Sequence, residues 1–191
     1  MRVGKVTLTT NTSLKLDMPK KAAARAKIIR SASDVFFKYG TRATGVDFIA
    51  KQAGVTKATL YHHFTNKDEL IIETLKELSL FHRANYMRAW SKSGLTPEQQ
   101  MTVLFDDMDA FFKQKDCYGC PFINVAGEYT ERRHPVRQLC EAHYQFITDH
   151  LEKFARRAGM KTPRKLAQDI TNIRHHQHYH GCLQRVVCMS S

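Results

Sequence analysis

From Lys20 onward the apolar positions fall with a helical period. Ile28, Ile29, Ala32, Val35, Phe36 and Tyr39 lie at i, i+1, i+4, i+7, i+8 and i+11, one stripe on a single helix. Gly40 ends that helix as a C-cap glycine. Thr44 reads as the N-cap of a second, short helix, with Asp47 as its capping-box partner and Val46, Ile49, Ala50 and Ala53 as its buried face. Gly54 breaks it. Thr56 caps a third helix that reaches Phe64, with Leu60 and Phe64 turned inward. Residues 1–19, polar and threonine-rich, read as a flexible arm.

The pattern continues in longer elements. Asn66 caps a helix predicted over residues 67–92, with Asp68 and Glu69 in its first turn and Leu75, Leu78, Phe81 and His82 on its inner face. Thr96 as N-cap and Pro97 at the first helical position start another, striped by Met101, Leu104, Phe105, Met108, Phe111 and Phe112 through about Lys115. Cys120 to Tyr129 predicts a short helix. His134-Pro135 begins a long one, with Val136, Leu139, Cys140, His143, Phe146, Ile147, Leu151 and Phe154 buried and Gly159 closing it. Thr162-Pro163 starts a last helix through Leu166, Ala167 and Ile170. No strand alternation persists past residue 20 and no repeat is visible. The predicted fold is all-α: the arm (1–19), a helix-turn-helix domain (20–66) and a larger helical domain (67–191) whose tail is atypical from about residue 171.

Composition sharpens this picture. With 42% apolar and 25% charged residues in 191, wholesale disorder is excluded. No run approaches the roughly 18 apolar residues of a membrane span. The N-terminus lacks the apolar core of a signal peptide, so the expected location is the cytoplasm, with no membrane partner. Five cysteines, an odd number, predict reduced thiols. Charge is uneven: residues 1–67 carry 13 Lys/Arg against 3 acids, while the remainder carries 17 against 15. A basic segment joined to a nearly neutral one suggests a polyanion-binding module attached to something else.

Two short helices around Ala53-Gly54-Val55 make a helix-turn-helix, and the basic charge sits on the same segment. Phe36, Gly40, Thr44, Val46, Ile49, Ala50, Ala53, Gly54, Val55, Leu60, Tyr61, Phe64, Lys67 and Leu70 stand in an order and spacing that resembles the DNA-binding domain of TetR-family transcriptional regulators. The resemblance covers about 45 residues, and beyond it the chain is similar only in being helical and of suitable length. The third helix would lie in the major groove. Lys57 and Thr59 could reach base edges, Ala58 permits close approach, and Tyr61 and His62 suit phosphates. Thr44 and Lys67 would mark helix N-termini aimed at phosphates, a role the resemblance also implies for Thr44, Tyr61 and Lys67. With Thr56 these complete the candidate DNA-binding set; the alternative for each is a solvated helix face. Lys15, Lys20, Lys21, Arg25 and Lys27 would add arm contacts.

The resemblance further implies a homodimer on palindromic duplex DNA, most often a repressor, whose helical domain binds a small-molecule effector. Phe81, Trp90, Phe105, Met108, Phe112, Phe122 and Tyr144 are candidates for that pocket, the alternative being plain core. Cys117 and Cys120 form a C-x-x-C that admits three readings: a thiol sensor, half a zinc site, or incidental thiols. A cysteine-based redox protein using this pair is the rival function. No catalytic triad, phosphate loop or carboxylate pair stands out, so no enzyme activity, cofactor or metal is expected. His175, His176, His178, His180 and Cys182 could attract a transition metal, but the fading apolar pattern there reads more simply as truncation or a frame change near residue 171, which would weaken dimerisation.

Overall fold

Capping residues decide where the helices begin and end. In the computed structural model, which describes residues 20–90, 94–112 and 118–173, the elements are α1 (Lys20–Tyr39), α2 (Val46–Ala53), α3 (Lys57–His63), α4 (Lys67–Trp90), α5 (Pro97–Phe112), α6 (Pro121–Glu128), α7 (Pro135–Arg157) and α8 (Pro163–Ile173). Thr56 Oγ1 accepts from the Thr59 N–H at 3.0 Å and caps α3. Asn66 Oδ1 accepts from the Glu69 N–H at 2.8 Å and caps α4. Thr96 and Gln99 form a reciprocal capping box at α5, with bonds of 3.3 and 2.9 Å. Gly54, at φ 59°, closes α2: its N–H bonds the Lys51 carbonyl at 3.1 Å and the Val55 N–H bonds that of Ala50 at 3.0 Å.

One cap differs from the sequence expectation. Gly45, not Thr44, is the N-cap of α2, and no side chain caps that helix. Thr44 is buried, and its hydroxyl donates to the Gly40 carbonyl at 2.6 Å. The hydroxyl closes the α1–α2 turn internally, so it is not turned toward the first α2 amides.

An apolar cluster runs from Ile28, Ile29 and Phe36 of α1 through Ile49, Ala53, Leu60 and Phe64 of the helix-turn-helix to Leu70, Ile71 and Leu75 of α4. It continues into Phe122 and Val125 of α6 and Val136 and Cys140 of α7, so the helical body and the helix-turn-helix head share packing. A second cluster joins Met101 and Phe105 of α5 to Ile147, Leu151 and Phe154 of α7 and Ala167 and Ile170 of α8. The α7–α8 contact also holds a buried hydroxyl pair, Thr148 to Thr171 at 3.0 Å. Leu75 and Leu78 face inward on α4 as expected, but Phe81 is 37% exposed: one step around the helix from Leu78, it lies at the edge of the buried side. Among the described residues all regular structure is helical, and no helix is long and apolar enough to cross a membrane. The arm, Cys117 and the His175–Cys182 segment lie outside the described residues, as do the side chains of Trp90, Met108 and Phe112. The last helix continues to Ile173, past the point at which its apolar pattern fades.

Candidate nucleic-acid interface

The helix-turn-helix is positioned from beneath. Leu60 and Phe64 bury the inner side of α3 against Ile49 and Ala53, and Arg25 of α1 lies 5.4 Å over the Phe64 ring. This leaves Lys57, Ala58, Tyr61 and His62 exposed on the opposite side, with Thr59 half-buried beside them. Lys57 is not idle: its ammonium pairs with Asp47 of α2 at 3.0 Å, and hydrogen bonding to that carboxylate raises the lysine pKa. Thr59 Oγ1 lies 2.8 Å from Thr56 Oγ1. Lys67, at the start of α4, is half-buried and donates to the Arg42 carbonyl at 3.4 Å; burial lowers its pKa. The structure therefore places Lys57, Thr59, Tyr61 and His62 on one element and Lys67 at the adjoining helix start, while the Thr44 side chain is turned inward.

Sequence reading passed over the residues behind this surface. Glu128, the last residue of α6, accepts from the Thr41 N–H and hydroxyl, both at 2.9 Å, and from the Arg42 N–H at 2.6 Å. Arg42 Nε donates to the Glu128 carbonyl at 2.7 Å, and its guanidinium covers the Tyr129 ring at 5.1 Å. The partners are more than 80 residues apart in sequence, so no local pattern marks them.

In the helical body, Phe122 is buried and stacks on His143, ring centres 3.7 Å apart, and Ser79 Oγ lies 2.8 Å from His143 Nδ1. Tyr144, half-buried, places its hydroxyl 3.2 Å from Cys120 Sγ. Cys120, the N-cap of α6, is buried. Cys140 is also buried, and burial together with neighbouring Cys120 pushes its thiol up to about 12. Among the described residues no group of three or more His, Cys, Asp or Glu side chains could hold a metal ion.

A helix-turn-helix head with a solvent-facing third helix, carried on a helical body, defines a DNA-binding transcriptional regulator. The family model described as bacterial regulatory proteins, tetR family, matches residues 28–74, which spans the head and the start of α4. Over those residues the chain is similar to the DNA-binding part of that family. It is 27% identical to the HTH-type transcriptional regulator LmrA of Bacillus subtilis over 155 residues, 78% of this chain and 80% of LmrA. Two regulators of Mycolicibacterium smegmatis match over shorter stretches: the repressor KstR2 at 30% identity over 47% of this chain and 43% of KstR2, and the activator FasR at 44% over 46% of this chain and 38% of FasR. The crystal structure of a TetR-family transcriptional regulator from Streptomyces coelicolor superposes with a TM-score of 0.78 at 27% identity, covering 88% of this chain and 90% of that one. These relatives are named as regulators, and nothing among them supports the redox reading of Cys117 and Cys120.

Proposed function

We propose that this chain is a ligand-responsive repressor that binds a palindromic operator as a homodimer. The observation that carries the reading is the outer side of α3, where Lys57, Ala58, Tyr61 and His62 are exposed while Leu60 of the same seven residues is fully buried. A helix held by its inner side and bare on its outer one suits the major groove. Lys57 and Thr59 reach base edges, the lysine by leaving Asp47. Tyr61, His62, Thr56 and Lys67 serve phosphates, and Thr44 contributes through the backbone of the turn it closes. The basic arm adds phosphate contacts. DNA binding is the work of residues 20–66, and effector binding and dimerisation that of the helices that follow.

The effector pocket is proposed in the helical body, near Phe122 and Tyr144 of the first apolar cluster or Phe105 of the second; Phe81, being exposed, is left out, and the side chains of Trp90, Met108 and Phe112 lie outside the described residues. An effector that prefers a second conformer lowers DNA affinity, and DNA lowers effector affinity by the same factor. The dimer surface is assigned to α7 and α8, which in a two-fold pair would set the recognition helices about 34–36 Å apart. The repressor KstR2 supports repression and the activator FasR points to the opposite sign, so a functional assay decides. The protein is used to select duplexes from random DNA, and the selected site is placed in a promoter driving a reporter. A palindromic consensus and reporter output that falls when the protein is expressed are expected. No enriched sequence would overturn DNA recognition, and rising output would replace repression by activation.

A further inference from the structure

We infer that the Glu128 carboxylate is the positioning group that fixes the DNA-binding head on the helical body, and thereby sets the spacing at which a dimer presents its two recognition helices. The inference rests on the DNA-binding reading above. Three donors converge on this carboxylate, the Thr41 N–H, the Thr41 hydroxyl and the Arg42 N–H, at 2.9, 2.9 and 2.6 Å. Hydrogen bonds to an ionised acceptor are about twice as strong as neutral ones. Arg42 returns a fourth bond to the Glu128 carbonyl at 2.7 Å. Gly40 makes room for the carboxylate: at φ 86°, a Cβ on it would lie 3.3 Å from Glu128 Oε1.

The place of the contact matters more than its strength. Thr41 and Arg42 open the turn that leads through Thr44 and Gly45 into α2, and the Arg42 carbonyl takes the Lys67 ammonium at the start of α4. The carboxylate therefore holds the segment directly behind the proposed phosphate-facing helix ends. α6 has eight residues, so it is roughly 12 Å long. At its far end Phe122 stacks on His143 of α7, inside the proposed effector region. α6 is thus tied at one end to α7 by the Phe122–His143 stack and at the other to the α1–α2 turn by Glu128.

Glu128→Gln tests this. The amide keeps the size, loses the charge, and turns an NH₂ toward an N–H that needs an acceptor. Thr41→Val removes one donor from the other side of the contact. Both variants and the double variant are titrated with a palindrome selected by the unaltered protein, with a single half-site, and with the palindrome lengthened by a base pair at its centre. Expected for Glu128→Gln is a loss of about tenfold on the palindrome, within the range of ordinary coupling factors, with half-site affinity changed by less than about twofold. Discrimination against the lengthened site should shrink. Thr41→Val should move all readouts the same way, and the double variant should lose less than the sum of the two. Equal losses on half-site and palindrome, or unaltered discrimination of spacing, would overturn the inference. Amide exchange without DNA gives an independent readout. Residues 40–46 should exchange about tenfold faster in Glu128→Gln while α7 keeps its protection, and unchanged exchange there would also overturn it. If the unaltered protein selects no DNA sequence, the DNA-binding reading fails, and exchange still decides whether Glu128 holds the head.

Discussion

Lys57 and Asp47 show why single side chains on the recognition surface need their neighbours. Both are exposed, so their 3.0 Å pair adds little to stability, but it ties up the ammonium on the proposed DNA face and puts a negative charge beside it. Asp47→Asn is expected to raise affinity for operator and random DNA alike by about three- to tenfold, measured by fluorescence anisotropy at low salt. Weaker binding would mean that Asp47 instead aims Lys57. Lys67→Ala should reduce the slope of log affinity against log salt by roughly 0.9, while Thr59→Ala should change sequence preference, costing about 1–3 kcal/mol at one base step. A parallel loss on all sequences for Thr59→Ala would move that residue to the phosphates. The thiols differ too. With Cys140 fully buried and its thiol pushed up to about 12, a limiting maleimide should label Cys120 before Cys140, read by mass spectrometry.

At the scale of elements, the helix ends carry the testable energetics. Gly54 turns the chain from α2 to α3 at φ 59°, a conformation that costs an L-residue roughly 1–2 kcal/mol. A Cβ there would meet only the Lys27 ammonium, 3.1 Å away at the end of a flexible chain, so the backbone term dominates. Gly54→Ala should lower the unfolding free energy by that amount, read as a lower urea midpoint with an unchanged m-value, and Thr56→Ala should cost about 1 kcal/mol through the lost α3 cap. The caps at Thr56, Asn66 and Thr96 were legible because donor and acceptor lie three residues apart. Thr44 misled for the same reason. A threonine before a short helix has two local choices, and here it took the carbonyl of Gly40, four residues behind it.

Across the whole molecule, α1 is tied to α4 by Arg25, which pairs with Glu73 and Glu77, and Lys76 pairs with Glu73 at 2.8 Å. The Lys76 hydrogen bond first, and then Arg25, holds the Glu73 carboxyl below its ordinary 4.5. A carboxyl depressed on folding adds stability that is present above its ordinary pKa and is lost as pH falls through the folded value. Glu73→Gln should therefore cost up to about 1 kcal/mol at pH 7, and the difference from the unaltered protein should shrink as pH falls below the ordinary 4.5. Urea titrations at several pH values check this, and a pH-independent difference would place the effect in packing.

Sequence by itself determined the helices, their order and the exposed side of the proposed recognition helix. A helical stripe and a cap are set by neighbours within four residues, and the pattern Ala53-Gly54-Val55, Leu60 and Phe64 fixes which side of α3 is bare. What tertiary structure alone decided is how the head is held. Glu128 is one of 18 acidic residues and stands in no motif, and its partners lie more than 80 positions earlier. The same holds for Phe122 against His143, and for Phe81, whose place on the apolar stripe did not tell which side of α4 the body would cover. Hydrogen bonds and ring contacts between distant segments depend on where the packed helices bring their ends, which no local spacing encodes.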